Sequence, residues 1–120
     1  MKISMARFRE LVAEALDQFP DEFAQYLDNV EVVVEDLPSP EIQRRFRTSP
    51  RHLLLGLYQG VPLTERSVLA VQMPDIIYLY KSNIEAVCRS EAEIRKQIRD
   101  TILHEIGHHF GMDEDQLRKV

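Results

Sequence analysis

The chain has 120 residues, a net charge of −5 and a single cysteine, Cys88. That length suits one domain, residues 1–120, with one real core and excludes two; the acidic balance argues against a nucleic-acid footprint. One cysteine excludes an internal disulfide, no apolar run approaches membrane-spanning length, and the opening MKISMARFRE lacks the apolar core of a signal peptide, so a cytoplasmic protein with no membrane partner is expected.

Ser4 is placed to cap a first helix, in which Phe8, Leu11, Val12, Ala15, Leu16 and Phe19 recur at intervals of three and four and form one packing face. Pro20 closes it and opens a short turn through Asp21, Glu22, Phe23, Tyr26 and Leu27, since proline is tolerated at the first helical position and acids suit a helix start. Residues 30–34 (VEVVV) are β-branched and read as a strand, and Pro38 and Pro40 enforce the loop behind it. Residues 41–51 are charged and bounded by prolines; they read either as a short helical turn or as a mobile loop on a cleft rim. Within them Arg44, Arg45, Arg47 and Arg51 read as a solvated basic patch rather than a binding surface.

Residues 52–58 (HLLLGLY) read as a second strand, with Gly56 marking a bulge or a close backbone approach and His52 structural. The loop after it holds Thr64, Glu65 and Arg66, which either project into a cleft or form a surface turn. Residues 68–73 and 75–80 form one long or two short strands about Pro74, a residue with no N–H to donate and therefore suited to an edge, bulge or turn. Alternation puts Ile77 and Leu79 on one face and Tyr78 and Tyr80 on the other. A connector, KSNIEAVCRS, carries a helical turn at residues 84–88.

Ser90 followed by Glu93 is a capping box, so the last helix begins near Glu91 and runs to about Phe110, roughly 30 Å. It carries Ile94, Ile98, Ile102, Ile106 and Phe110 in steps of four, and the pattern H-E-x-x-H-x-x-G-x-x-E at His104, Glu105, His108, Gly111 and Glu114. Helical residues four apart differ by about 40°, so His104 and His108 point the same way. Two imidazoles on one face suit a single Zn²⁺, and Glu105, displaced to the side, has the layout of a general base. With Ile106 at zero, the two histidines fall about 160° and 200° away, while Ile102, Leu103, His109 and Phe110 lie within about 60°. His109 therefore belongs with the packed side rather than with the ligands. Gly111 suits the left-handed residue that stops a helix, and a turn there swings back an acid, Glu114 or else Asp113 or Asp115, as third ligand. Asp100, one turn before His104, reads as a solvated carboxylate ahead of a partner for that ring.

Residues 53–66 (LLLGLYQGVPLTER), 74–80 (PDIIYLY) and 104–111 (HEIGHHFG) together resemble the bacterial minimal-zincin family, small stand-alone proteins similar to zinc metallopeptidases. The resemblance covers nearly the whole chain. It implies a compact α+β minimal zincin: an N-terminal helix, a small mixed β-sheet and a long C-terminal helix carrying HExxH. It further implies zinc held by His104, His108 and an acid after the glycine, Glu114, with Glu105 as the base. The family tail runs Gly, two residues, then Asp-Glu, whereas this chain reads Gly111, Met112, Asp113, Glu114. Either Glu stands where the family has Asp, or Asp113 takes the role across a loop one residue shorter.

The expected activity is hydrolysis of peptide or protein substrates. Zinc with such ligands keeps a position for water and lowers its pKa toward ~7, and Glu105 takes the water's proton and passes it to the leaving amine. By analogy with the fold, an extended substrate is expected on an edge strand within residues 68–80, and Arg66, Tyr58 and Tyr78 are candidates to stabilise the oxyanion. Only nine residues follow Gly111, so the lower half of the cleft is expected to be missing or completed by a partner protein. The alternative is a non-catalytic metal-binding interaction module on the same scaffold.

Overall fold

The computed structural model describes residues 1–60 and 73–112. Ser4 opens α1 (Met5–Asp17), its hydroxyl accepting from the Arg7 N–H at 3.0 Å, and Phe8, Leu11, Val12 and Ala15 line the buried face. Pro20 leads into a 3-10 turn (Asp21–Phe23) and α2 (Ala24–Leu27). β1 (Val30–Glu35) follows, then α3 (Pro40–Arg45), whose cap Ser39 accepts from the Ile42 N–H at 3.2 Å. Of the two readings open for residues 41–51, the helical turn is the one found. β2 (Gly56–Gln59), β3 (Asp75–Tyr80), α4 (Lys81–Ala86) and α5 (Glu91–Phe110) complete the order.

The strands form a mixed sheet in the order β1-β3-β2, with β1 parallel to β3 and β2 antiparallel to it. Helices around one small mixed sheet make this the compact α+β fold that was expected. The topology also corrects one expectation. β3 lies between β1 and β2, so both its sides are already paired and no peptide can add to residues 75–80; residues 68–72 lie outside the described part. Among the described residues the outer strands are β1 and β2.

The second strand starts later than the expected residues 52–58, at Gly56 rather than His52. Ser49 and His52 exchange backbone hydrogen bonds of 2.9 and 3.2 Å about Pro50 and Arg51, which ties His52 into a tight turn. Ladder bonding begins only where the Leu55 carbonyl accepts from the Tyr80 N–H at 2.9 Å.

The core lies between the sheet and the two long helices. Ile94, Ile98, Ile102 and Ile106 of α5 are buried together with Phe8 and Leu11 of α1 and Ile77 and Leu79 of β3. Burying each such side chain stabilises the fold by roughly 1.5–3 kcal/mol. The steps of four seen in the sequence are therefore the seam by which α5 is seated.

Seating is closest at Gly56. A Cβ there would stand 2.6 Å from Thr101 Cγ2 and 2.8 Å from the Tyr78 carbonyl oxygen, so β2 reaches α5 only because this residue has no side chain. The approach then continues in step. Two strand residues advance about 6.7 Å and four helical residues about 6 Å, so Gly56 meets Thr101, Tyr58 meets Glu105, and Gly60 meets His109, whose Cε1 would be 3.3 Å from an added Cβ. β2 and the metal-motif helix run alongside each other in register.

Candidate active site

Ser90 fixes the start of α5, accepting from the Glu93 N–H at 3.1 Å while the Glu93 carboxylate accepts from the Arg89 N–H at 3.1 Å. Gly111 fixes its end at φ 66°, with its N–H and that of Met112 both donating to the Gly107 carbonyl. These local bonds set where the motif sits along the helix. His104 and His108 lie on one exposed face with ring centroids 6.3 Å apart, and the His108 side chain is 78% exposed.

Glu105 is placed differently. Its side chain is 19% exposed, and its carboxylate accepts a hydrogen bond from the backbone N–H of Tyr58 and lies 3.9 Å from His108 Nδ1. Burial pushes its carboxyl up from the ordinary glutamate range, opposed by His108, the Tyr58 N–H and His104 in turn. Desolvation of the charged form is the larger effect. Because the Leu55 carbonyl pairs with β3, alternation turns the Tyr58 N–H outward from the ladder, which is why that donor is available to the helix.

Tyr58 also organises the far end of the site. Its hydroxyl donates to Asp75 at 2.7 Å, and its ring stacks on His109 with centroids 3.9 Å apart and planes 16° from parallel. His109 Nε2 lies 4.0 Å from the same Asp75 carboxylate. His109 is thus held against the strand. A cavity of about 440 Å³ opens here, lined by Phe46, Leu54, Leu57, Tyr58, Glu105, His108 and His109.

The other sequence candidates fall as follows. Glu114, Asp113, Asp115, Thr64, Glu65 and Arg66 lie outside the described residues, and among those described no third His, Cys, Asp or Glu joins His104 and His108. Tyr78 stacks on Tyr80 at 6.5 Å and is not part of the cavity wall. Asp100 accepts from Lys96 at 3.0 Å rather than from His104. Sequence reasoning missed Phe46 and the backbone of Tyr58. The only signal for Phe46 was an aromatic standing among arginines; a backbone donor leaves no trace in residue identity.

The described residues supply two of the donors a zinc ion takes, two imidazoles on one helical face turned to solvent, with the Glu105 carboxylate beside them at 3.9 Å from His108 Nδ1; a third donor is not among the described residues. A helix bearing HExxH, packed on a small mixed sheet with the glutamate at an outer strand, is the arrangement of a zincin. A profile of zincin-like metallopeptidases matches residues 27–120, and the chain belongs to that family. Comparison with curated proteins gives no match. Among solved structures, a conserved hypothetical protein from T. thermophilus is similar over 90% of this chain and 94% of its own, at 24% identity and a TM-score of 0.60; the likeness is one of fold. No helix among the described residues is long and apolar enough to cross a membrane.

Proposed function

We infer that the chain is a zinc-dependent peptidase of the cytoplasm, acting on peptide or protein substrates. The observation that supports it best is the division of labour on one helix turn: two exposed imidazoles beside a carboxylate that is half-buried and accepts from the Tyr58 N–H. His104 and His108, with Glu114 as third ligand, would hold the ion, which when bound supplies Lewis acidity to water and to the scissile carbonyl. Glu105 accepts the proton of the attacking water and returns it to the leaving amine. The cavity beside it receives the substrate, and a partner protein completes the cleft below.

The test is Glu105→Gln, assayed for metal content and for hydrolysis of a mixed fluorogenic peptide set. Metal retained at the level of the unsubstituted protein with turnover abolished is the expected result. Undiminished hydrolysis by the variant would remove Glu105 from the chemistry; metal binding with no hydrolysis by either protein would favour the interaction module.

A further inference from the structure

Four of the chain's arginines, Arg44, Arg45, Arg47 and Arg51, fall within eight residues of a protein whose net charge is −5. All four are exposed. None has an ion-pair partner among the described residues, in which they resemble Lys2, Arg9, Arg89 and Arg99 and differ from Arg7, Lys81, Arg95 and Lys96, each paired with a carboxylate. The helix dipole accounts for part of this, since Arg44 and Arg45 occupy the last turn of α3. It does not account for Arg47 or Arg51, which lie beyond the helix.

What distinguishes this patch is where it stands. Phe46, between Arg45 and Arg47, is 41% exposed and forms part of the wall that also holds Glu105, His108 and His109. The Arg45 guanidinium carbon sits 5.4 Å from the centre of that ring, a distance at which cation and ring attract. A fixed positive charge is thereby parked at the mouth of the catalytic cavity. The wall itself is apolar at Leu54 and Leu57, so a ligand entering there meets an apolar floor and a cationic, aromatic rim. Guanidinium groups take carboxylates in paired hydrogen bonds.

We propose that the site selects acidic peptides, with Arg45 and its neighbours Arg44 and Arg47 engaging Asp or Glu side chains of the substrate while Phe46 packs against the adjoining residue. The proposal rests on the peptidase reading for the identity of the ligand as a peptide. A polynucleotide is the poorer fit, because Arg44, Arg45 and Arg47 gather at one end of a six-residue helix, a shorter cationic track than a phosphate backbone needs.

The experiment measures fluorescence anisotropy of a labelled decapeptide rich in Asp and Glu, its Asn/Gln counterpart and a ten-nucleotide single-stranded DNA, each with the Glu105→Gln protein. Hydrolysis of both peptides by the unsubstituted protein is followed in parallel. The acidic peptide is expected to bind at least about tenfold tighter than its amide counterpart at low salt, the preference shrinking as salt rises. An Arg44→Gln, Arg45→Gln, Arg47→Gln triple variant should lose that preference, and Arg45→Lys alone should keep most of it because the charge remains. Since the substituted side chains are exposed, folding should be unaffected, which far-UV circular dichroism checks. Equal binding of the two peptides, or tighter binding of the DNA than of the acidic peptide, overturns the proposal. Acid-selective binding without hydrolysis of either peptide would support it while removing the peptidase reading; hydrolysis with no acid preference would do the reverse.

Discussion

The backbone N–H of Tyr58 donates to the carboxylate of Glu105, so the proposed base is positioned by an outer strand as well as by its own helix. The bond exists because two periodicities agree. Steps of two along β2 and steps of four along α5 bring Gly56 to Thr101, Tyr58 to Glu105 and Gly60 to His109. A side chain introduced at the first contact should disturb the second.

Gly56→Ala puts a Cβ 2.6 Å from Thr101 Cγ2 and 2.8 Å from the Tyr78 carbonyl oxygen. Overpacking of this kind costs about 1–3 kcal/mol, to be read from urea midpoints. Thr101→Ser removes the Cγ2 and should return part of that loss in the double variant, but not all, because the Tyr78 carbonyl is backbone and cannot yield. If Gly56→Ala unfolds at the same urea concentration as the unsubstituted protein, the close approach of β2 to α5 is not what the fold requires.

Metal content by mass spectrometry, on protein purified without chelators or a histidine tag, resolves the ligand set. His104→Ala and His108→Ala should each lose nearly all bound zinc, because removing one of the two helical donors leaves too few for a stable site. Glu114→Ala should lose it too, with Asp113→Ala retaining it. The opposite outcome for the two acids would place Asp113 in the ligand set and shorten the turn after Gly111 by one residue.

The helix and its contents were legible because their determinants are local. Ser90 with Glu93 marks the start of α5, Gly111 the end, and spacing of four puts His104 and His108 on one side; each signal lies within about one turn of what it specifies. The environment of Glu105 was not legible. It depends on β2 being an outer strand placed alongside α5, which follows from pairing with β3 at Gly56↔Leu79 and Tyr58↔Ile77, partners some twenty residues apart in sequence. The same register makes β3 central and so removed it as a place for an extended substrate. Gly56 did announce a close approach, though not to which element.

A buried ion pair anchors α4 to the start of the chain. Lys81 Nζ donates to Glu85 Oε2 at 2.9 Å, the Ile3 N–H donates to the same oxygen at 2.7 Å, and the two side chains are 11% and 5% exposed. Glu85→Ala leaves the Lys81 charge buried without its partner and the Ile3 amide without its acceptor. A loss of about 3–5 kcal/mol is expected. Replacing both, Lys81→Met with Glu85→Leu, should recover the part that arises from the unpaired Lys81 charge, the Ile3 amide still lacking its acceptor. Denaturant titration of the three proteins decides between this and a packing role for Glu85, in which case the double variant would be as unstable as the single.

Arg7 joins α1 to α5 by donating to Glu91 through Nε at 3.2 Å and Nη2 at 2.9 Å. Those hydrogen bonds hold the Glu91 carboxyl below its ordinary 4.5, against a smaller opposing effect of burial. A carboxyl whose pKa is depressed on folding stabilises the native state at pH values above its unfolded value and ceases to do so as pH falls through the folded one. The pair's contribution is therefore present at neutral pH and disappears in acid below 4.5. Arg7→Gln should unfold earlier than the unsubstituted protein at about pH 7, and the gap between the two midpoints should narrow as pH falls below 4.5. Because Arg7 also touches Glu10 at 2.8 Å, the comparison is repeated in a Glu91→Gln background, where the narrowing should be much reduced. A gap independent of pH in the native background would mean that Arg7 acts through packing of its aliphatic stem, not through Glu91.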